Sequence, residues 1–283
     1  MIVDAHAHVF AAASERFPRA VHELYPADME APVADLLAAM DGNGVSHAVL
    51  VALSPHDEYL SYCLETYPGR FAGVGIWDPG SFSLEIYRRR RDGVALQGLR
   101  LFELGDAAVA DVTELASFPL LEQMAADGTK LWFYSAQDQL ALLDRVLERL
   151  PGLTVVLNHL GFCPGALRID EHGRPRFDEQ LPPPSLPLAA SLASHAGVNV
   201  LFSGHYAFSQ AGYPYSDLDG VVADLLDAYG PGRLLFGSDF PWIRSEPGYA
   251  EIVALVDRQL GSLSPGQRAA VLGANAAAMF GFH

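Results

Sequence analysis

Residues 2–8 read IVDAHAH, and this stretch begins the pattern that decides the fold. An apolar start is followed by Asp4, His6 and His8 at alternating positions. Side chains two residues apart on a strand point to the same side, so both imidazoles are expected together at the end of a first strand. Short apolar runs of the same kind recur at 47–53, 71–77, 96–102, 130–134, 154–160, 198–204 and 234–240. Most are continuous rather than alternating, which is typical of strands buried on both faces of a parallel sheet.

Helical patterns separate several of these runs. They lie at 32–44, 118–128, 138–152, 217–230 and 264–282, and several end on Gly. Strand followed by helix, repeated along the chain, predicts an α/β fold of the (β/α)8 TIM-barrel type, with residues 1–283 as one domain. Long connections at 11–31 and 161–188 follow the first and sixth strands. We expect both on the face of the barrel where loops shape a pocket.

Composition limits the classes of partner. The chain has 283 residues, half of them apolar, and a formal net charge of −16, which argues against nucleic acid and anionic membranes. Neither a signal peptide nor an apolar run of about 18 residues is apparent, so we expect a cytoplasmic protein. Cys63 and Cys163 are expected to be reduced thiols. The expected partner is a small-molecule substrate, and a homodimer remains open.

Polar side chains collect at the predicted carboxyl ends of the strands. His6 and His8 end the first strand, and further polar residues end or follow later ones: Arg100, Tyr134, His159, His205 and Asp239. In a barrel these ends converge on one mouth, so we predict a shared functional site there. His6 and His8 could bind one divalent cation, with Asp239 completing the ligand set or acting as a base.

Four segments carry a resemblance to a known family. DAHAH (4–8), VVLNHLG (155–161), RLLFGSDFPW (233–242) and GANAAAMFGF (273–282) resemble the amidohydrolase superfamily, and more narrowly its amidohydrolase 2 branch. That branch includes aminocarboxymuconate semialdehyde decarboxylases and the pyrone-dicarboxylate and sugar lactonases. The resemblance implies a (β/α)8 barrel that hydrolyses or decarboxylates a small molecule. It implies that His6 and His8 bind metal or polarise substrate, and that Asp239 binds metal, acts as base, or both.

One position departs from the metal-dependent relatives. They usually end the fifth strand with a histidine ligand, whereas this chain has Tyr134, as in the pyrone-dicarboxylate lactonase subgroup, which works without a metal. His159 matches the family's second histidine, which activates water or polarises the scissile carbonyl. Two interpretations follow. Zinc or manganese is held by His6, His8 and Asp239, with His159 as a further candidate ligand, or catalysis proceeds without a metal.

The favoured function is a hydrolase that opens a lactone or related cyclic ester of a small acidic molecule. Asp239 would take a proton from water, and His6, His8, His159 and Tyr134 would polarise the carbonyl. The candidates for substrate binding are Arg100, His205, Trp242, Arg244 and His56, with Arg100 as a carboxylate clamp. Arg100 and Arg244 could instead form structural ion pairs. The alternatives are a metal-dependent nonoxidative decarboxylase of an aromatic or muconate-like acid, and a non-catalytic binder of a small acid.

Overall fold

A computed structural model describes residues 1–78 and 82–283. Eight parallel strands hydrogen bond in sequence order around a nearly closed barrel, which confirms the predicted (β/α)8 fold. A predicted apolar run corresponds to every strand, because each strand is buried on both faces. The strands are β1 Ile2–Ala7, β2 Val45–Val51, β3 Phe71–Ile76, β4 Leu96–Leu101, β5 Lys130–Phe133, β6 Val155–Leu157, β7 Val198–Phe202 and β8 Leu234–Phe236.

Helices cover the outside of the strands. All five predicted helical segments contain helix, but 264–282 is divided by a π-helical segment, Ala270–Ala274. None of the helices in the described ranges is long and apolar enough to cross a membrane. The helices are α1 Val33–Gly42, α2 Glu58–Thr66, α3 Leu84–Val94, α4 Phe118–Asp127, α5 Gln137–Arg149, α6 Leu186–Ser191, α7 His205–Phe208, α8 Asp219–Tyr229, α9 Tyr249–Gln259, α10 Pro265–Ala269 and α11 Asn275–Phe280. Short 3-10 turns occur at Val112–Glu114, His159–Gly161, Leu192–Ser194, Ser216–Leu218 and Pro231–Arg233.

The barrel closes where β1 meets the segment after β8. The Asp239 amide donates to the His6 carbonyl at 2.8 Å, and the His8 amide donates to the Phe240 carbonyl at 2.7 Å. Gly237 lies against His6 so closely that an added Cβ would be 2.8 Å from the Cβ of His6. This seam therefore brings His6, His8 and Asp239 together through the backbone.

A register shift in β1 decides which way its polar side chains point. Asp4 pairs with Ala48 and Ala7 pairs with Leu50, so β1 uses three residue steps where β2 uses two. One extra residue in a strand turns the following side chains to the opposite face. Accordingly, Asp4 reaches helix α9, whereas His6 reaches Trp132, which belongs to a buried cluster with members from most of the strands.

Both long connections contribute walls to the mouth of the barrel. In the first, the Arg19 guanidinium donates to backbone carbonyls of its own loop, including Ala11 at 3.0 Å and Tyr25 at 2.9 Å. The second contains an antiparallel hairpin, Leu167–Ile169 with Pro175–Phe177, which the sequence analysis did not predict. Folded in this way, both connections place side chains over the strand ends.

Candidate active site

A cavity of about 230 Å³ opens at the carboxyl ends of the strands. Side chains from the barrel form its floor, and the two long connections form much of its wall. The residues that line it are His8, His22, Leu24, Tyr25, Leu53, Ile76, Arg100, Phe102, Tyr134, His159, Leu167, Pro175, Phe177, Tyr206, Ala207, Asp239 and Trp242.

Asp239 lies at the centre of a buried group of imidazoles. Its Oδ1 atom is 3.5 Å from His6 Nε2 and 3.4 Å from His8 Nε2. The His6 and His159 ring centroids are 5.0 Å apart, and Tyr134 meets His159 edge-on at 5.2 Å. Oδ2 of Asp239 accepts a hydrogen bond from the Tyr206 hydroxyl at 2.7 Å, whereas Oδ1 has no hydrogen-bond partner in the described parts of the chain.

Two of these residues have a strained backbone. His159 has φ 47° and Asp239 has φ 61°, in the left-handed region that non-glycine residues rarely adopt. Such strain persists only where the surrounding structure enforces it, and it concentrates at functional sites. Gly204 makes room for the His159 ring, because a Cβ there would lie 2.7 Å from its atoms.

Burial and mutual proximity set the charges of the site. Burial lowers the pKa of His159 to about 4 and, with His8 as the next cause, lowers the pKa of His6 well below its usual value. Burial alone would raise the pKa of Asp239, but His159, His8 and His6 outweigh it and lower the pKa. Burial raises the pKa of Tyr134, which keeps its proton. At neutral pH the site therefore combines a carboxylate with neutral His6, His159 and Tyr134.

Comparison with known proteins identifies the family. The family model described as amidohydrolase matches residues 3–282. This chain belongs to the amidohydrolase family. No curated protein matches it.

Solved structures similar to this amidohydrolase share its barrel. A putative 2-pyrone-4,6-dicarboxylic acid hydrolase from Pseudomonas putida is 27% identical, with TM-score 0.75, covering 100% of this chain and 98% of that one. A zinc-bound amidohydrolase from Burkholderia multivorans is 23% identical, with TM-score 0.74 and full coverage of both chains. A 5-carboxyvanillate decarboxylase from Sphingomonas paucimobilis is 16% identical, with TM-score 0.66, covering 100% and 99%. The last two likenesses show the fold alone.

A metal ion is implied by part of this family, and the site contains a group that could hold one. His6, His159 and Asp239 each offer a ligand atom, all within 4.8 Å of one another. His8 is oriented as ligating histidines are, because its Nδ1 lies 2.7 Å from the Val51 carbonyl oxygen, which can only accept. Nδ1 of His8 therefore carries a proton, and in the neutral ring Nε2 has a lone pair.

His6 does not fit a metal in this arrangement. Its Nδ1 accepts a hydrogen bond from the Trp132 indole at 3.1 Å, and an indole nitrogen can only donate. The neutral ring must then carry its proton on Nε2, the atom that faces Asp239. A protonated nitrogen has no lone pair for a metal, so His6 acts here as a hydrogen-bond donor.

Arg100 lies inside the cavity of the amidohydrolase, and the groups nearest to it are neutral. With its amide oxygen turned toward the guanidinium, Asn158 accepts from Arg100 Nη2 at 3.1 Å and from Nε at 3.2 Å. The guanidinium also lies 5.0 Å from the Phe102 ring centroid and 5.3 Å from that of Tyr134. No acidic side chain within 1–78 or 82–283 forms an ion pair with it. The structural ion pair considered for Arg100 is therefore absent from the described residues.

Three residues predicted to bind substrate lie elsewhere. His205 is buried between Phe202 and Tyr215, at ring distances of 4.5 Å and 6.1 Å, because helix α7 begins there and turns it away from the cavity. His56 lines separate surface grooves beside Phe17 and Tyr62.

Arg244 was the third of these residues, and it lies on the surface. Its guanidinium pairs with Asp35 at 3.0 Å, the structural alternative considered for it. Of the predicted substrate-binding residues, the cavity contains Arg100 and Trp242.

Four polar contributors were not predicted from the sequence. Tyr206 and Trp132 bind Asp239 and His6 directly, and Tyr25 and His22 come from the first long connection. Tyr206 directly follows His205, so the sequence did carry a polar signal after β7. The prediction assigned that signal to His205 instead of Tyr206. Trp132 gave no such signal, since a tryptophan inside an apolar strand is normally core.

Proposed function

We propose that this chain is a hydrolase that opens a lactone, or a related cyclic ester, of a small acidic molecule. The observation that carries the proposal is the buried Asp239 carboxylate, whose Oδ1 atom lacks a partner in the described chain and lies between two imidazoles. A carboxylate in this state is ready to accept a proton from a reacting group. The likeness to the Pseudomonas hydrolase at 27% identity supports a cyclic ester as substrate.

The first step is attack by water on the lactone carbonyl. Oδ1 of Asp239 takes one proton from water as the oxygen forms its bond to the carbonyl carbon. Tyr206 donates to Oδ2 at 2.7 Å and thereby fixes the orientation of the carboxylate. Ionised Asp239 performs this role at neutral pH, since its pKa is lowered.

The negative charge then develops on the carbonyl oxygen. Two neutral donors are available for it, the Nε2–H of His6 and the hydroxyl of Tyr134, and both atoms are buried without a partner in the described chain. Preorganised donors of this kind commonly contribute about a hundredfold or more to the rate. Trp132 supports this role because it holds the proton of His6 on Nε2.

Ring opening completes the reaction. The carbon–oxygen bond of the ring breaks, and the leaving alkoxide takes the proton that Asp239 received from water. The product carries a new carboxylic acid, which releases its proton to solvent and becomes a carboxylate, and a hydroxyl, or the keto form of that hydroxyl where the leaving oxygen is enolic. Asp239 is returned to its ionised state, so the cycle needs no other reactant than water.

Zinc or manganese would require a different state of His6. The ring would have to move its proton to Nδ1, against the Trp132 donor, before Nε2 could bind an ion. The mechanism proposed here therefore uses the side chains alone. A nonoxidative decarboxylase and a non-catalytic binder are the outcomes that would replace it.

The proposal is tested with 2-pyrone carboxylates in water enriched in ¹⁸O, using mass spectrometry of the products. Hydrolysis inserts one ¹⁸O into the new carboxylate and keeps every carbon atom. Loss of carbon dioxide would indicate a decarboxylase, and binding without either product would indicate a binder. Asp239→Asn is the matched control, because it keeps the shape of the base and removes its function.

A further inference from the structure

The charges of the cavity wall restrict the substrate further. Resting on the proposed lactone hydrolysis, we propose that the substrate carries one carboxylate on an otherwise uncharged, flat and largely apolar body. Arg100 binds that carboxylate, and no second arginine or lysine lines the cavity among the residues that the structure describes.

Arg100 supplies the site for the substrate carboxylate. It is the one arginine or lysine among the described residues that line the cavity. The side chain is buried, and its nearest partners are the Asn158 amide and the rings of Phe102 and Tyr134, all of them neutral. The Asp239 carboxylate acts on this cation from across the cavity without forming an ion pair, so an incoming carboxylate supplies a direct partner for the planar fork of the guanidinium.

The other arginines near the mouth already have partners. Arg174 pairs with Asp170 at 2.8 Å and also with Glu246. Arg176 donates to the carbonyls of Tyr206 and Ser209. Neither of these two guanidinium groups lines the cavity.

The rest of the wall suits an uncharged ring. Large apolar surfaces come from both long connections and from the strand ends, and the aromatic members can lie against a planar ligand. They are Leu24, Leu53, Ile76, Phe102, Phe177 and Trp242. The Tyr134 hydroxyl is a neutral donor that suits a carbonyl or hydroxyl, and the Asp239 carboxylate would repel a second anion. A second carboxylate placed there would lose its water without gaining a cation.

This inference separates the chain from its Pseudomonas relative, whose name specifies a dicarboxylic acid. Binding to the Asp239→Asn variant tests it without turnover. The probes are 2-pyrone-5-carboxylate, its methyl ester and 2-pyrone-4,6-dicarboxylate, each titrated by calorimetry. We expect the monocarboxylate to bind about tenfold or more tightly than either other probe, the scale of a charge-assisted hydrogen bond. Equal or tighter binding of the dicarboxylate, or no binding of the monocarboxylate, would overturn the inference.

Turnover by the unmodified enzyme keeps the two proposals apart. Selective binding of the monocarboxylate without ring opening would support the single-carboxylate inference and contradict the proposed lactonase activity. If the dicarboxylate is opened with a kcat/KM equal to or greater than that of the monocarboxylate, the lactonase proposal is supported and the single-carboxylate inference is contradicted.

Variants identify the residue responsible. Arg100→Gln should abolish the preference for the acid over its ester, and Arg70→Gln, a surface arginine beside Asp41, should leave it unchanged. If Arg100→Gln does not fold, Arg100→Lys is used instead, because it keeps the charge. It should weaken binding of the acid several-fold more than binding of the ester. An unchanged preference in the folded Arg100 variant would show that another group binds the carboxylate.

Discussion

Two buried carboxylates lie on either side of the β1–β8 seam, and their surroundings are opposite. Asp4 accepts hydrogen bonds from the Ser238 amide at 2.8 Å, the Ser238 hydroxyl at 2.5 Å, the Tyr249 hydroxyl at 2.8 Å and the His6 amide at 3.1 Å. Asp239, in the mouth, has Tyr206 on one oxygen and leaves the other free within the described chain. A saturated carboxylate stabilises the fold, whereas an unsaturated one keeps an acceptor for a reactant.

Their acidities also move in opposite directions. Burial raises the pKa of Asp4 by more than its four hydrogen bonds lower it. Neighbouring imidazoles lower the pKa of Asp239 in spite of burial. Asp4 therefore stabilises the seam between β1 and β8, whereas Asp239 is an ionised carboxylate in the mouth of the barrel.

The largest effect should come from Asp239→Asn. Loss of the base should reduce kcat by about a hundredfold or more, the usual scale for general-base catalysis. Stability should change little, because the free oxygen of Asp239 supports no structural hydrogen bond. Turnover of a lactone and urea unfolding measure the two quantities. An unchanged kcat would remove Asp239 from the mechanism.

Asp4→Asn should lower stability and have little effect on kcat. One amide oxygen cannot accept from all four donors, so buried donors lose their partners at about 1–3 kcal/mol. We expect the free energy of unfolding to fall by roughly that amount. The kcat of the folded protein should fall far less than in Asp239→Asn. Equal losses of kcat in the two variants would show that Asp4 also acts in catalysis.

Acid should destabilise the protein through two buried histidines, one in the cavity and one packed outside it. The pKa of His159 is about 4 and that of His205 about 3 in the folded chain, below the ordinary value of 6.5, because both are buried. Between pH 6.5 and 4 the unfolded chain therefore binds more protons, and stability falls as the pH falls. By pH 5 the loss should reach roughly 1 to 2 kcal/mol for each histidine. Urea unfolding at several pH values measures it.

A matched pair of variants tests whether a buried histidine causes this loss of stability in acid. His205→Leu should reduce the dependence of stability on pH, because it removes a buried group that resists protonation. His172→Gln alters a histidine of the exposed hairpin turn and should leave the dependence unchanged. A steeper dependence in His205→Leu would contradict the assignment.

One physical reason let the sequence predict the barrel and the gathering of His6, His8, His159 and Asp239 at its mouth. Parallel strands buried on both faces are continuous apolar runs, and their carboxyl ends must converge. Position along the chain does not determine where a side chain points after the strand ends. His205, His56 and Arg244 were misplaced on that account, and the register shift in β1 that separates Asp4 from His6 leaves no mark in composition. The hairpin at 167–177 and the role of Trp132 depend on contacts between distant segments, which a single sequence does not reveal.

Tyr206→Phe should have a smaller effect on the mouth. The change removes one hydrogen bond to Asp239 and retains the ring, so kcat should fall by about tenfold, corresponding to about 1.4 kcal/mol. The pH at which activity is lost on the acid side should also rise, because a carboxylate without this donor is more basic. Tyr249→Phe removes the equivalent donor from Asp4 and should lower stability rather than kcat. A loss of kcat in Tyr249→Phe as large as in Tyr206→Phe would show that the surroundings of Asp4 also contribute to catalysis.

Removal of metal should have the smallest effect. Because Trp132 keeps the proton of His6 on Nε2, we expect the purified enzyme to retain its kcat after treatment with a chelator, with elemental analysis confirming that zinc and manganese are absent. Trp132→Phe removes the indole donor and frees Nδ1 of His6 to carry the proton, so this variant should bind zinc more tightly than the parent in calorimetry. Trp77→Phe alters another buried tryptophan and should not change zinc binding. Activity that disappears on chelation and returns with zinc would show that His6 ligates the ion in spite of Trp132, and would favour the decarboxylase.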